Sequence, residues 1–281
     1  MTIKSVFVGP MFDVRVEERG PAEALTRYAI ALAASQGAHL SIAVGCCKLM
    51  APSAGVLREA RALISRANEE RFGHAQTYGA DLLTQARAGA ATAELELLND
   101  TYAEVSEAMV RRARLADVAV MQPNDETFSL TQGAAEEVLF GSGRPVIFVP
   151  PAWQGPFSLE TVVVAWDGSA KAARAVGDAM PLLAQAKQVE VIAISGDPDA
   201  TKRVEGAEIA PHLARHCKNV RVTGLPAGDD VADTLSNHAR LVRADLLVMG
   251  AFAHSRLRQL VLGGVTRRMI VDPPVPTLMS Y

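Results

Sequence analysis

Residues 246–280, LLVMGAFAHSRLRQLVLGGVTRRMIVDPPVPTLMS, carry the clearest fold signal in this chain. The stretch opens with a short apolar run and continues through a loop that bears glycines and arginines. A Gly-Gly pair then predicts the start of a helix, and the last apolar run predicts an edge strand. A strand, a loop and a glycine-led helix in this order are typical of one unit of a parallel α/β sheet.

Apolar runs and helical patterns alternate along all 281 residues. The runs are rich in Val and Ile, which is typical of strands covered on both faces by helices. The predicted strands are residues 5–10, 39–45, 94–98, 117–122 and 145–150, then 161–166, 189–195, 220–225, 245–250 and 275–280. The predicted helices of the second set are residues 170–186, 204–216, 230–242 and 265–271. We therefore predict an α/β fold with two Rossmann-like, flavodoxin-related parallel sheets of five strands in the order 3-2-1-4-5.

The two sets of strands also agree in sequence, which indicates a tandem duplication. Residues 116–121, ADVAVM, match residues 244–249, ADLLVM. We place one domain at residues 1–150 and another at residues 158–281, joined by a linker rich in Pro and Gly. The first domain carries additional residues at 49–91, whose role the sequence leaves open. Their helical tract at 56–72 predicts a helix that covers the sheet.

The composition excludes several classes of protein. A net charge of -3 and an aromatic content of 5% argue against nucleic-acid binding, which needs clustered positive charge and stacking surfaces. No apolar run approaches the length of a membrane-spanning helix, so we expect no membrane partner. Three cysteines do not form a disulfide framework and are typical of a reducing compartment, which predicts a cytoplasmic protein.

A ligand site is predicted where the winding of the second sheet reverses. With the order 3-2-1-4-5, that point lies between the carboxyl ends of strands one and four. Strand one ends at Asp167-Gly168-Ser169, and strand four ends at Gly250. These segments are far apart in sequence, so their predicted meeting strengthens the case for a ligand.

The loop after strand four carries groups suited to phosphate. Glycine allows a positive φ or a close approach of backbone to ligand, arginine recognises phosphate, and a helix N-terminus offers free amides. The residues that supply these groups are Gly250, Ser255, Arg256, Gly263, Gly264 and Thr266.

Arg267 and Arg268 are predicted in the first turn of the following helix, where cations oppose the helix dipole. A bound anion would relieve that conflict, and arginines that simply point into water are the alternative. In the first domain Glu136 and Glu137 stand in these places, also in a predicted first turn, and would repel phosphate. We predict that the first domain has no phosphate site and has a structural or interactive role.

Residues 161–281 resemble the universal stress protein family. Its nucleotide-binding members carry Gly, two residues, Gly, nine residues, then Gly followed by Ser or Thr. The matching positions are Gly250, Ala253, Gly263 and Gly264, of which Ala253 and Gly264 depart from the pattern. The resemblance implies adenine contacts from Asp167 and from the backbone of Ile194. The whole implied binding set is Asp167, Ile194, Gly250, Ala253, Ser255, Arg256, Gly263, Gly264, Val265 and Thr266.

The resemblance favours a tandem universal stress protein that senses or regulates a stress response. It implies binding of ATP, AMP or another adenine nucleotide, with or without Mg²⁺. It also implies an internal pseudo-dimer of the two domains and leaves a further homodimer open. A nucleotide-free protein–protein interaction module and a slow ATPase are the alternatives. The chain has no GxxxxGK[ST] or GxSxG motif, so the sequence favours a protein without turnover.

Three other features have simple structural interpretations. Ser169 is predicted to cap a helix. His212 and His216 are spaced for a metal on one helical face, but a solvated face is the favoured interpretation. Cys46 and Cys47 are interpreted as small buried hydrophobes at the end of a strand.

Overall fold

The computed structural model describes residues 2–12, 23–50, 58–89, 92–123, 130–195, 206–228, 230–251, 253–254, 261–262 and 264–281. Its strands are β1 Ser5–Val8, β2 Met11–Phe12, β3 His39–Cys47, β4 Thr92–Asp100, β5 Val118–Met121, β6 Val146–Phe148, β7 Thr161–Ala165, β8 Gln188–Ser195, β9 Val220–Pro226, β10 Leu246–Gly250, β11 Ala253–His254, β12 Val261–Leu262 and β13 Thr277–Ser280. Its helices are α1 Glu23–Gln36, α2 Arg58–Ala88, α3 Tyr102–Ala113, α4 Leu130–Gly141, α5 Ala170–Leu183, α6 Ala210–Leu213, α7 Val231–Leu241 and α8 Gly264–Val271.

One eleven-stranded sheet runs through both halves of the chain, which we define as residues 1–150 and 158–281. The first half contributes β4-β3-β1-β5-β6 from the outer edge inward, and β2 extends the line of β1 beside β3. The second half continues as β13-β10-β7-β8-β9. Pairings within each half are parallel. The predicted α/β class with a mainly parallel sheet is confirmed, but two separate sheets are replaced by one.

The two halves join through β6 and β13, which pair antiparallel; we call this pair the seam. Leu278 of β13 lies opposite Ile147 of β6 on one side and opposite Val248 of β10 on the other. Leu278 and Ile147 are both buried. The prediction of an edge strand at residues 275–280 was therefore wrong, because the far side of β13 is covered by a strand from the other half.

Helices cover both faces of the sheet. Core side chains of α1, α2 and α5 join Val162 and Val164 of β7 on one face. Core side chains of α3, α4, α7 and α8 join Val163 on the other face, because neighbouring residues of a strand point to opposite sides. Of the helices in the described ranges, none combines the length and the apolar character that a membrane crossing requires.

The long helix α2 differs from the predicted covering helix at residues 56–72. Residues 56 and 57 lie outside the described part of the chain, and Leu63 is 68% exposed. The part that packs on the sheet is the C-terminal half, through Ala75, Gly79, Leu82 and Ala86. Asn68 hydrogen-bonds to the backbone of Leu49 just beyond β3. At 1.5 Å per residue, the ten residues of α2 before Asn68 therefore extend roughly 15 Å beyond this hydrogen-bonded contact.

The predicted helix at residues 204–216 is much shorter than expected. The described part is a 3-10 helix, Ala207–Ile209, followed by the single turn of α6. Gly206 precedes it with a φ of 87°, a left-handed conformation that a helix interior does not contain. His216 lies beyond α6 and its ring centroid is 5.4 Å from that of His212. Among the described residues, no group of three or more His, Cys, Asp or Glu could hold a metal ion.

Candidate functional site

A cleft of about 210 Å³ opens at the carboxyl ends of β7 and β10. The connections from these neighbouring strands lead to opposite sides, to β8 and to β13, so the cleft lies at the switch point of the second half. Its walls come from β7, β8, β10, α5, α7 and α8 and are mostly apolar. The lining residues are Ala165, Trp166, Asp167, Ala172, Ile192, Ile194, Val231, Leu235, Met249, Gly250, Val265 and Thr266.

The structure brings part of the predicted binding set together at this cleft. Five predicted residues line it: Asp167, Ile194, Gly250, Val265 and Thr266. Gly264 is the first residue of α8, and Ala253 lies in β11 of the loop. The remaining members, Ser255, Arg256 and Gly263, lie outside the described residues.

Asp167 stands at the rim of the cleft in a tight turn. Its Oδ1 accepts a hydrogen bond of 3.0 Å from the backbone N–H of Ser169. The Ser169 hydroxyl accepts one of 3.1 Å from the N–H of Ala172, so the predicted helix cap is confirmed. Gly168 between them has a φ of 73°, which favours glycine. Among the described residues no partner engages Oδ2 of Asp167, so this oxygen can accept hydrogen bonds from a ligand.

Gly250 has a packing role that was not predicted from the sequence. Its φ is not positive. A Cβ at this position would lie 2.7 Å from the carbonyl carbon of Lys171 and 2.8 Å from the backbone nitrogen of Ala172. Glycine is therefore required here because α5 begins directly against the end of β10. The close approach predicted from the sequence exists, but its partner is a helix of the same domain.

The position of Arg268 within α8 also differs from the predicted one. The helix begins at Gly264, so Arg268 falls in its last turn, where a cation favours the helix dipole. Its Nη2 lies 3.7 Å from a carboxylate oxygen of Asp233 and 3.9 Å from one of Asp272. The predicted conflict with the dipole is therefore wrong for Arg268, whose charge is balanced by two carboxylates.

The buried carboxylate of Glu190 links β8, which lines the cleft, to β9 and α7. Glu190 of β8 is 2% exposed and accepts a hydrogen bond of 2.6 Å from the Thr223 hydroxyl of β9. Its Oε1 also lies 3.3 Å from Nε2 of His238 on α7 and 3.9 Å from Nε of Arg221. The contact with His238 is ionic when the imidazole is protonated. These contacts join α7 to β8 and β9 on the face of the sheet that holds the cleft.

Sequence reasoning missed the α7 wall and the tryptophan at the cleft. Val231 and Leu235 are four residues apart on α7, and this apolar spacing was a usable signal. Trp166 donates its indole N–H to Oε1 of Glu208 over 2.7 Å. This hydrogen bond holds the pKa of Glu208 below its usual range. It also ties the short 3-10 helix to the end of β7.

In the first half, side chains of α3 pack closely against α4 at Gly133. The position that a Cβ would take at Gly133 is occupied by the Tyr102 hydroxyl. That hydroxyl donates to Oε1 of Glu137 over 3.2 Å, and the buried Ser106 hydroxyl donates to Oε2. Glu136 and Glu137 do not lie in a first turn, because α4 already begins at Leu130. A carboxylate with two hydroxyl donors therefore lies between α3 and α4.

We expect Tyr102→Phe to destabilise the protein by about 1 kcal/mol, because Glu137 loses one hydrogen-bond donor. Burial and the Glu137 carboxylate both raise the pKa of Tyr102, so its neutral form is favoured in the folded state. The stability that follows from this shift is lost as the pH rises above about 10, the ordinary tyrosine value. Urea unfolding at pH 7 and pH 10.5 measures both effects. Tyr281→Phe is the control, and an equal loss in that variant would contradict the role of the Tyr102 hydroxyl.

Residues 158–280 match the model of the Universal stress protein family. The second half is a universal stress protein domain. Universal stress protein Slr1230 of Synechocystis sp. is 26% identical over 170 residues, which cover 58% of this chain and 57% of that protein. The chain therefore spans a little over half the length of this relative.

Solved structures share the fold of the whole chain, including the universal stress domain. A universal stress protein from Archaeoglobus fulgidus DSM 4304 has a TM-score of 0.71 at 16% identity, covering 98% of this chain and 97% of its own. One from Pseudomonas aeruginosa UCBPP-PA14, described as putative, has a TM-score of 0.61 at 16% identity, covering 99% and 93%. At this identity the likeness concerns the fold alone.

Proposed function

We propose that the universal stress domain binds an adenine nucleotide, such as ATP or AMP. The protein would act as a sensor or regulator of a stress response and would not hydrolyse the nucleotide. The observation that carries this proposal is an acidic rim residue, Asp167, beside an apolar cleft at the switch point of the sheet. Apolar walls suit the faces of a purine, and a carboxylate oxygen suits the N–H or O–H donors of a base or ribose. Phosphates would then extend toward the N-terminus of α8.

The proposal extends to the organisation of the chain. Residues 1–150 would be a degenerate copy of the universal stress domain, and the seam would hold the copies as an internal pseudo-dimer. The support is that each side of the seam holds five main strands, which run parallel to one another within that half. A cytoplasmic location belongs to the same proposal, because a chain with three cysteines does not form a disulfide framework and is typical of a reducing compartment.

A nucleotide-free interaction module is the second candidate, and two observations favour it. The cleft of about 210 Å³ is smaller than the roughly 300–1,000 Å³ of sites that enclose drug-sized ligands. Gly250, a glycine of the family pattern, is already required by the packing of α5. A nucleotide in this cleft would have its base enclosed and its phosphates at the mouth.

Calorimetric titration with ATP, with and without Mg²⁺, separates the two candidates. We expect saturable binding with a dissociation constant below about 1 mM, and about tenfold weaker binding in Asp167→Asn, which removes the charge-assisted hydrogen bond. Asparagine keeps an oxygen that can accept from the Ser169 N–H, so the turn is preserved. Asp81→Asn on the exposed surface of α2 is the matched control.

The outcomes of the titration are distinct. A folded protein that shows no binding at millimolar ATP would reject the nucleotide site and leave the interaction module. Unchanged affinity in Asp167→Asn would place the nucleotide elsewhere. Phosphate release above background during a long incubation with ATP would instead support the slow ATPase.

A further inference from the structure

The ammonium group of Lys171 lies over an aromatic residue that packs on the same face of the sheet as the cleft. Lys171 is the second residue of α5, whose core residues Ala175 and Val176 pack on the face away from the cleft. Its Nζ, however, lies 3.4 Å from the centre of the Tyr281 ring. Tyr281 packs against the core cluster on the opposite face, which also contains the cleft residues Met249 and Leu235. The ammonium group therefore contacts a residue on the side of the sheet that holds the cleft.

The backbone around Lys171 forms part of the site itself. Ala172, the next residue, lines the cleft, and the carbonyl carbon of Lys171 is the atom nearest to the Cβ position of Gly250. Lys171 is half-buried and, among the described residues, no carboxylate lies within ion-pair distance of it. An ammonium held by an aromatic face is only weakly stabilised, by about 0.5–1 kcal/mol at exposed sites, so an anion can compete for it.

An aromatic residue of the first half packs against Tyr281. The Tyr281 ring meets the ring of Phe140 edge-on, with the ring centroids 4.9 Å apart and the planes at 82°. Phe140 belongs to α4, on the other side of the seam. The two rings therefore connect the first half to the ammonium group of Lys171.

We infer that Lys171 makes the cleft select nucleotides by their number of phosphates, and that Phe140 of the first half positions Lys171 through Tyr281. This inference rests on the proposed nucleotide site. A base and ribose in the cleft would leave a polyphosphate chain near Gly250, where the ammonium can approach it. AMP carries less charge to this position than ATP, and adenosine carries none, so affinity follows the order ATP, AMP, adenosine.

Titrations of the wild type and Lys171→Met with ATP and adenosine test the charge. We expect the dissociation constant for ATP to rise about tenfold in Lys171→Met, the value of one charge-assisted hydrogen bond, and that for adenosine to change less than about twofold. Lys187→Met is the matched control, because Lys187 is exposed in the same domain at the amino end of β8 and pairs with Glu160. An unchanged ratio of ATP to adenosine affinity in Lys171→Met would overturn the inference while leaving the nucleotide site intact. A wild type that binds neither compound would reject the site and the inference together.

Phe140→Leu tests the positioning role separately. We expect ATP affinity to fall about threefold with adenosine affinity unchanged, because the lysine keeps its charge but loses the packed support of its aromatic partner. The melting temperature of each variant shows that it is folded. Wild-type affinity of Phe140→Leu for both compounds would show that the first half does not contribute to nucleotide binding.

Discussion

Replacing Gly250 by alanine should destabilise the protein by about 3 kcal/mol, whereas the same change at Gly264 should alter stability by less than about 0.5 kcal/mol. The added methyl group at Gly250 meets backbone atoms of α5 at 2.7–2.8 Å, and a helix backbone cannot move aside as a flexible side chain can. A Cβ at Gly264 meets no atom within 4 Å. Urea unfolding of the two variants measures this difference.

The comparison separates two explanations for glycines of the family pattern. If Gly250 served only to admit a ligand, Gly250→Ala would fold as stably as the wild type and lose only ligand affinity. Equal stability of the two alanine variants would therefore contradict the packing explanation. A loss of stability confined to Gly250→Ala would show that this glycine is needed before any ligand binds.

Truncating Leu278 at the seam should cost about 3 kcal/mol, within the range found for buried Leu→Ala changes. Leu278 is 1% exposed and lies between Val248 and Ile147, so the cavity would open between strands of both halves. We expect faster amide hydrogen exchange in β6 as well as in β13, because opening of the pair exposes both strands. Exchange measured by mass spectrometry on the Leu278→Ala protein tests this expectation.

A matched control for the seam is Leu63→Ala in α2. Leu63 is 68% exposed, so the same change in side chain should alter stability by less than about 0.5 kcal/mol. If exchange in Leu278→Ala accelerates only in the second half, the seam would be a contact between independent units. If β6 responds equally, the halves share one cooperative structure.

The sequence predicted elements well where local signals agreed. The apolar runs of the second half correspond to β7, β8, β9, β10 and β13, and the Ser169 cap and the start of α5 are where they were expected. Asp167 and Gly250 were predicted to meet because parallel strands place their carboxyl ends at one edge, and both line the same cleft. Periodicity and capping are local properties, so they can be read without the partner segments.

Features that depend on distant partners could not be predicted in the same way. The burial of β13 depends on β6, about 130 residues earlier, and an apolar strand has the same pattern whether it lies at an edge or inside. The requirement for glycine at position 250 comes from α5, and the crowding at Gly133 comes from Tyr102 on α3. The long helical tract showed that α2 exists but not which half of it packs, because Ala75 and Gly79 carry little hydrophobic signal.

The antiparallel seam has a consequence for access to the molecule. Strand direction reverses between β6 and β13, so the carboxyl ends of the first-half strands and those of the second-half strands lie at opposite rims of the shared sheet. The exposed turns of α2 extend from one rim, and the cleft opens at the other. A small molecule that enters the cleft at one rim would therefore not collide with a macromolecule bound to the exposed turns of α2 at the other rim.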